Sequence, residues 1–178
     1  MTDVKEDVTG LGLVFGTYED AQKMIGARSD VYFAQIEVGW PMIKYFCALT
    51  EDGNPSYWDE EYATRQWGGI ICPPGMLITF MIPIQWHPDG LPEYPLIAPK
   101  VPLPGDTIIN SSVETEFVRP IRAGDHLNFV DEVLDVSPEK PTRVGPGHFI
   151  TTVMTYRNQN GAVVARNKNV MFRYQAEG

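Results

Sequence analysis

Basic residues are scarce in this chain of 178 residues. Fourteen Lys and Arg stand against 23 Asp and Glu, so the formal net charge is −9 and the pI is about 4.7. Contacts to nucleic-acid phosphates need clustered Lys and Arg, so we expect no nucleic-acid partner. A polyanionic small molecule would need a local basic patch, although scattered basic residues also occur simply as solvated faces. The candidates are Arg119, Arg122, Arg143, Arg157, Arg166 and Lys168.

Cysteine and long apolar runs are rare as well. Cys47 and Cys72 lie in apolar surroundings without metal-ligand spacing, which predicts free buried thiols and no metal site. The longest apolar run, residues 69–84, contains three prolines and is too short to span a bilayer, so no membrane contact is expected. The N-terminus lacks a charged segment followed by an apolar run, and we therefore expect a cytoplasmic protein.

Length and composition favour an ordinary globular chain. Hydrophobic residues make up 43% and charged residues 21%, which is typical of a protein that buries a core. We predict a single domain over 1–178, with a weakly structured start over 1–16 and a proline-rich loop over 83–106.

Four segments have the pattern of helices. Thr17 and Asp20 form a capping box that starts a short helix ending near residue 25, and residues 42–49 have helical apolar spacing. A third helix is predicted over 58–66, where Gly68 and Gly69 end the pattern. The run over 69–84 opens on two prolines and is apolar on every side, which predicts a helix buried on every side.

The remaining segments favour strands. Residues 31–38, 113–121, 127–136, 148–157 and 162–174 are rich in β-branched and aromatic types. Asn160-Gly161 predicts a type I′ hairpin, residues 123–125 predict another, and three hairpin-linked strands form a meander. The fold class is therefore α+β.

Seven of the fifteen prolines lie between Pro83 and Pro104. Such a stretch is neither an interior strand nor a helix, and a long ordered loop of this kind is typically a lid or a contact for a partner. Its aromatic and aliphatic residues are expected to pack against the rest of the chain: Trp86, Tyr94, Leu96 and Ile97.

The most informative stretch is residues 48–63. It places Asp52 two residues before an Asn54-Pro55 turn, with a helix start directly after it. Ser56 and Asp59 have the spacing of a capping box. The sequence therefore predicts a carboxylate on a rigid turn.

This turn resembles the Gly-Asp-x-Asn-Pro-x-His-x-Asp signature of MaoC-like hydratases and dehydratases, which add water to enoyl thioesters or remove it from hydroxyacyl thioesters. Residues 117–125 are similar to the second recurring stretch of that family, so the resemblance covers about residues 30–174. It implies a hot-dog fold, in which a curved antiparallel sheet wraps around a central buried helix, here the 69–84 run.

Two positions depart from the signature. Tyr57 stands where the family has His, and Glu51 stands where it has Gly. The chain is thus similar to the FAS1-like dehydratase domains, in which one of two paired hot-dog units has often lost catalytic residues. This implies a subunit of an (R)-specific enoyl-CoA hydratase or hydroxyacyl-thioester dehydratase that pairs with a His-bearing hot-dog chain in a heterodimer or heterotetramer. The acyl-CoA thioester would be substrate, without a cofactor, and a steroid side chain or long chain is the expected acyl group.

The resemblance assigns roles to four residues. Asp52 matches the catalytic acid, and Tyr57 occupies the His position, where a phenol is a hydrogen-bond donor but a poor base. Gly75 matches the glycine whose N–H holds the thioester oxygen, and Asn54 is the second expected substrate-binding residue. Asp52 is alternatively only a turn former, and Gly75 only a packing glycine.

Two other functions remain open at this stage. The chain could form a self-sufficient homodimer in which Asp52 works with Tyr57 or with His87, which lies on the possible lid. It could also be a non-catalytic thioester-binding module. His126 and His148 are expected to be surface or hairpin residues, because neither belongs to the turn that carries Asp52.

Overall fold

A computed structural model of the chain describes residues 12–84, 86, 88, 90 and 95–176. Within them lies one antiparallel sheet with the strand order β1-β3-β5-β6-β2, to which β4 adds by pairing with β5. The strands are β1 Tyr32–Phe33, β2 Thr107–Phe117, β3 Asn128–Val136, β4 Lys140–Thr142, β5 Gly145–Arg157 and β6 Val163–Tyr174. Together with short helices before β2, this sheet confirms the predicted α+β class.

The helices precede β2 in the chain. They are α1 Tyr18–Gln22, α2 Trp40–Leu49, α3 Pro55–Trp58, α4 Glu60–Trp67 and α5 Leu77–Met81, with 3₁₀ turns at Pro74–Met76 and Ala98–Lys100. The Thr17 cap is confirmed, since the Thr17 hydroxyl accepts from the Asp20 N–H. Within the described part of the chain, no helix is long and apolar enough to cross a membrane.

The predicted capping box at Ser56 is wrong. The cap of α3 is Asn54, whose side chain accepts from the Ser56 N–H at 3.0 Å, because Pro55 already occupies the first helical position. Asp59 has extended backbone and caps α4 instead, so the helix predicted over 58–66 begins at Glu60, and the separate α3 precedes it. Ser56 itself is buried, and its hydroxyl accepts from the Trp67 indole N–H at 3.0 Å.

The 69–84 segment differs most from the prediction. Its α-helix α5 has only about one and a half turns. The chain is extended at Pro73 before it and at Ile82 after it, where the following Pro83 disfavours helical backbone. Phe80 is 1% exposed, but Ile78 and Ile82 are 41% and 49% exposed. The segment is therefore not buried on every side in the isolated chain.

The meander prediction holds for β3, β5 and β6 but not for β2. Among the described strands, β2 pairs only with β6, at the far edge of the sheet from β3. Residues 123–125 therefore do not close a hairpin, because the strands on either side of them are not neighbours. The strand predicted over 31–38 is also shorter, and only the two residues of β1 pair with β3.

The hairpin between β5 and β6 exists, but its turn is not type I′. That turn requires a positive φ at both central residues. Gly161 has a φ of 74°, whereas Asn160 is not among the residues with positive φ. The Asn158 side chain takes over the role of organising the turn, since its oxygen accepts from the N–H groups of Asn160 and Ala162.

Two clusters of buried apolar side chains form the core. The first joins α2, α3, α4 and α5 to the sheet through residues such as Ile43, Phe80, Phe129 and Tyr156. The second packs the segment after Pro95 against β3 and β5. Its members are Ala21, Ile97, Ala98, Val101, Leu103, Val133, Val136 and Ile150.

The proline-rich segment behaves only partly as predicted. Ile97 is buried and Leu96 packs against the first cluster, as expected, but Trp86 is 76% exposed. Tyr94 and His87 lie outside the described residues. At the other end of the chain, Leu13 is buried, and the Val14 N–H donates to the Pro99 carbonyl at 3.0 Å.

A buried carboxyl group ties the proline-rich segment to the sheet. Asp131 on β3 is 1% exposed, and its Oδ2 accepts from the Ile97 N–H at 3.1 Å. Burial raises the pKa of Asp131 to about 6, and the hydrogen bond from Ile97 only partly opposes this shift. The Thr152 side chain and the Glu132 backbone also act to lower this pKa, but burial outweighs them.

We expect Asp131→Asn to stabilise the fold near neutral pH. The folded-state pKa lies above the ordinary value of 3.8, so the folded chain keeps a proton that the unfolded chain releases. The resulting stabilisation is full below about pH 4, falls as the pH rises to about 6 and is absent above it. Asn keeps the acceptor for Ile97 and carries no charge, so at pH 7.5 it should raise the free energy of unfolding by on the order of 1–3 kcal/mol.

Urea unfolding at pH 4 and pH 7.5 measures this difference. Asp135→Asn, an exposed position on the same strand, serves as the control and should change neither value. An Asp131→Asn gain that is equal at both pH values would contradict the account, because it would not arise from ionisation.

Candidate functional site

The turn after α2 holds Asp52 through three hydrogen bonds. The Asp52 N–H donates to the Cys47 carbonyl at 2.9 Å, and the Asp52 carbonyl accepts from the Trp58 indole N–H at 2.7 Å. The carboxylate Oδ1 accepts from the Asn54 N–H at 3.0 Å. One oxygen of the carboxylate therefore stabilises the turn, and the group is fixed relative to α2 and α3.

The backbone conformation at Glu51 explains why the family signature has glycine at this position. Among the described residues it is the only non-glycine residue with a positive φ, 54°. A left-handed backbone costs a residue with a Cβ about 1–2 kcal/mol, whereas glycine adopts it freely. The turn therefore keeps the geometry that a glycine would favour, with local strain at Glu51.

Tyr57 is buried directly after this turn and is 7% exposed. Burial is the largest cause that raises the pKa of its phenol, and the negative charge of Asp52 adds to it, while the Asn54 side chain works in the opposite direction. The phenol is thus protonated at neutral pH. Tyr57 can donate a hydrogen bond but cannot act as a base.

A pocket of about 260 Å³ opens beside Tyr57. It forms where residues 70–74 meet the loop after β2, and the Cys72 N–H donates to the Ile121 carbonyl at 2.7 Å. The described lining residues are Tyr57, Trp67, Ile71, Cys72, Pro74, Phe117, Val118, Arg119, Pro120 and Ile121. Burial raises the pKa of the Cys72 thiol to about 12, so it is no nucleophile.

Gly75 directly follows the pocket residue Pro74. A Cβ at this position would lie 3.7 Å from the Phe46 ring, which is ordinary van der Waals contact, and its φ is not positive. Neither packing nor backbone conformation therefore requires glycine here. The interpretation of Gly75 as a packing glycine receives no support.

The described histidines do not extend the site. His126 is exposed, with Nε2 2.7 Å from the Ala34 carbonyl oxygen. His148 is buried, contrary to the prediction, because it stacks on Tyr18 and places Nδ1 3.0 Å from the Ser137 carbonyl oxygen. Neither is among the lining residues of the Tyr57 pocket. No group of three potential metal ligands occurs in the part of the chain that the structure describes.

Sequence reasoning found the turn but missed the pocket walls. Trp67, Ile71 and Phe117 were not singled out, because they meet only after residues 70–72 pair with residues 121–122. The similarity of residues 117–125 to the family's second stretch indicates this loop, but not that it faces Tyr57. Asp125 in that stretch is structural, since its Oδ2 accepts from the Arg122 N–H at 2.8 Å.

Sequence comparison gives two related findings. Residues 23–167 match the family described as FAS1-like, dehydratase domain region. A probable enoyl-CoA hydratase alpha subunit from Thermomonospora curvata is 32% identical over 148 residues, which cover 79% of this chain and 46% of the relative. The chain thus spans about half the length of this curated relative.

Solved structures show the same fold. The ChsH1-ChsH2 complex from Mycobacterium tuberculosis contains a chain that matches with a TM-score of 0.73 at 22% identity, covering 90% of this chain and 92% of that one. A MaoC-like dehydratase from Rhodospirillum rubrum matches with a TM-score of 0.59 at 22% identity, covering 86% and 94%. These likenesses confirm the predicted hot-dog fold.

Proposed function

This chain belongs to the FAS1-like dehydratase domain family, which is MaoC-like, and on that premise we propose that it is one subunit of an (R)-specific enoyl-CoA hydratase or hydroxyacyl-thioester dehydratase. A second hot-dog chain with a complete Asp/His pair performs the proton transfers. This chain completes the acyl-thioester site. The observation that carries the proposal is the buried, protonated Tyr57 at the position of the family's histidine.

The hydration reaction explains why Tyr57 distinguishes a subunit without the complete Asp/His pair from one that has it. Hydration of an enoyl thioester needs a base for water, an acid for the α-carbon and donors for the thioester oxygen. Tyr57 supplies a hydrogen-bond donor. Asp52 supplies one carboxylate, which already stabilises its own turn. Half of the acid/base pair is therefore missing from this chain.

In this proposal, the Gly75 N–H is the donor that holds the thioester oxygen. It follows Pro74 on the pocket wall, and nothing in its surroundings requires a glycine. Asn54 shapes the approach to the pocket by capping α3, the helix that carries Tyr57.

The edge of the sheet at β2 is an argument for a partner chain. In the part of the chain that the structure describes, β2 pairs with β6 on one side only, and its apolar residues Ile109, Val113 and Phe117 are 41%, 56% and 40% exposed. Bare edges and exposed apolar side chains are typical of surfaces that a partner covers. The structural relative from Mycobacterium tuberculosis is itself a complex of two chains, as its name says.

The short α5 is an argument for a substrate with a bulky acyl group. The α5 helix ends after about one and a half turns, and Ile78 and Ile82 are left half-exposed, so an acyl group that reaches α5 would meet apolar side chains. A steroid side chain or a long chain, bound as a coenzyme A thioester, is the acyl group that we propose.

Hydration assays with and without the partner test this function. The purified chain alone should hydrate crotonyl-CoA and a steroid enoyl-CoA at least about a hundredfold more slowly than the assembled complex, because one member of an acid/base pair does little without the other. Asp52→Asn in the complex should lower the rate by less than about a hundredfold. Its melting temperature should not change, because Asn forms the same turn.

Two outcomes would lead to other functions. Turnover of about 1–10³ per second by this chain alone would identify a self-sufficient homodimer. Acyl-CoA binding without hydration in either preparation would identify a thioester-binding module. The control is a complex assembled with a partner variant that lacks the histidine of its own Asp/His pair. This complex should be as inactive as this chain alone.

A further inference from the structure

The Tyr57 pocket has one charged residue among its described lining residues, Arg119. The Arg119 N–H donates to the Val164 carbonyl at 3.2 Å, which fixes the loop. The guanidinium group, in contrast, makes no hydrogen bond or ion pair with the residues that the structure describes. Arg119 thus presents an uncompensated positive charge at the mouth of an otherwise apolar pocket.

Arg122 places a second cation next to the pocket, although it is not one of the lining residues. Its Nε donates to the carbonyl of Trp67 at 2.6 Å, and Trp67 lines the pocket. A Cβ on Gly68 would lie 3.5 Å from a terminal nitrogen of Arg122, so the guanidinium lies along the glycine pair that ends α4. The terminal nitrogens have no hydrogen-bond partner among the described residues.

Other arginines in the described ranges either already have a partner or, like Arg143, lie away from the pocket. Arg28, Arg65 and Arg166 form ion pairs with carboxylates at 2.8–3.3 Å. Arg157 donates to the carbonyl of Gly161. In a chain with a net charge of −9, the Arg119 guanidinium on the pocket wall and the Arg122 guanidinium beside it have no carboxylate partner among the described residues, which points to an anionic ligand.

We propose that Arg119 and Arg122 bind the 4′-phosphate of the phosphopantetheine arm of the thioester. This inference rests on the proposed function. A guanidinium group matches phosphate geometry with two parallel N–H donors. The pantetheine arm separates the thioester from this phosphate, so a phosphate subsite belongs at the mouth, and both arginines are exposed there.

The pocket itself suits the pantetheine arm that links the thioester to the phosphate. Ile71, Pro74 and Val118 give it apolar walls, and Pro74 leads into Gly75, where the thioester oxygen is proposed to bind. The acyl group would then continue past Gly75 towards α5. Both coenzyme A and an acyl carrier protein present the same phosphorylated arm, so the subsite serves either carrier.

Crotonyl thioesters of coenzyme A, 4′-phosphopantetheine, pantetheine and acyl carrier protein test the subsite in the assembled complex. Arg119→Ala should raise KM for each phosphorylated thioester by on the order of 10- to 100-fold, the usual effect of losing a charge-assisted hydrogen bond. KM for the pantetheine thioester and kcat for all four should stay unchanged. The wild-type KM values show which carrier is used.

Arg143→Ala is the matched control, since it removes the same charge from an exposed position outside the pocket. Arg122→Ala should act like Arg119→Ala, and Arg122→Lys, which keeps the charge, should restore part of the loss. An equal KM increase with the pantetheine thioester would overturn the proposal, as would an effect confined to coenzyme A.

The test separates this inference from the proposed function. Wild-type hydration with equal KM for pantetheine and phosphopantetheine thioesters would refute the subsite and leave the hydratase intact. If no thioester is hydrated, calorimetric titration with 4′-phosphopantetheine against pantetheine still decides. Tighter binding of the phosphorylated compound that is lost in Arg119→Ala supports the subsite, and equal binding refutes it.

Discussion

Phe80→Ala is expected to lower the free energy of unfolding by about 3–5 kcal/mol, the usual cost of removing a buried phenyl ring. Phe80 lies on α5, is 1% exposed and belongs to the cluster that joins the helices to the sheet. The cavity left behind cannot collapse easily, because sheet and helices on both sides are themselves packed. Urea unfolding of the isolated chain measures the loss.

Ile78→Ala is the matched control on the same helix. Ile78 is 41% exposed, so its truncation should cost less than about 1 kcal/mol in the isolated chain. If both variants lost the same stability, the orientation of α5 described here would be wrong. A variant that is neutral alone but weakens the complex would place Ile78 under the partner.

Arg173→Ala is expected to cost about 3–5 kcal/mol, because it leaves a cavity and removes buried hydrogen bonds to backbone carbonyls. Arg173 on β6 has no exposed surface. Its Nε donates to the Gly105 carbonyl at 2.7 Å, a terminal nitrogen donates to the Val14 carbonyl at 3.4 Å, and the group stacks on Phe15. Truncation would remove the Arg173 donor from the Gly105 carbonyl and would leave the Val14 carbonyl with only the Leu103 N–H at 3.4 Å.

Arg166→Ala on the same strand provides the comparison. Its ion pair with Glu116 is exposed, and such pairs contribute only about 0–1 kcal/mol. Thermal unfolding of both variants gives the difference. An Arg173 variant as stable as the Arg166 variant would show that the buried guanidinium is dispensable to the attachment of residues 14 and 105.

Local sequence patterns predicted the elements whose cause is local. The Asn-Pro turn, the cap at Thr17, the glycine pair that ends α4 and the three long strands β3, β5 and β6 all follow from residue types and spacing. The resemblance to MaoC-like hydratases added the fold. It also indicated the loop over residues 117–125 that forms one wall of the pocket.

The failures involve contacts between distant segments. Apolar composition alone predicted a long buried helix over 69–84, whereas Pro83 ends it early and Cys72 is held extended by Ile121. The turn signature over residues 123–125 cannot show that β2 pairs with β6 and not with β3. The burial of His148 depends on Tyr18, which is 130 positions away in the chain and stacks on its ring.

If the proposed partner covers the half-exposed Ile78 and Ile82 and the edge of β2 with which no other described strand pairs, the stability of this chain will depend on the concentration of that partner. A partner that binds only the folded form adds RT ln(1 + [partner]/Kd) to the free energy of unfolding, which is about 2.7 kcal/mol at a hundredfold excess over Kd. In a cell, the lifetime of this subunit would then follow the supply of its partner, and unpaired copies would be those that unfold and are degraded first.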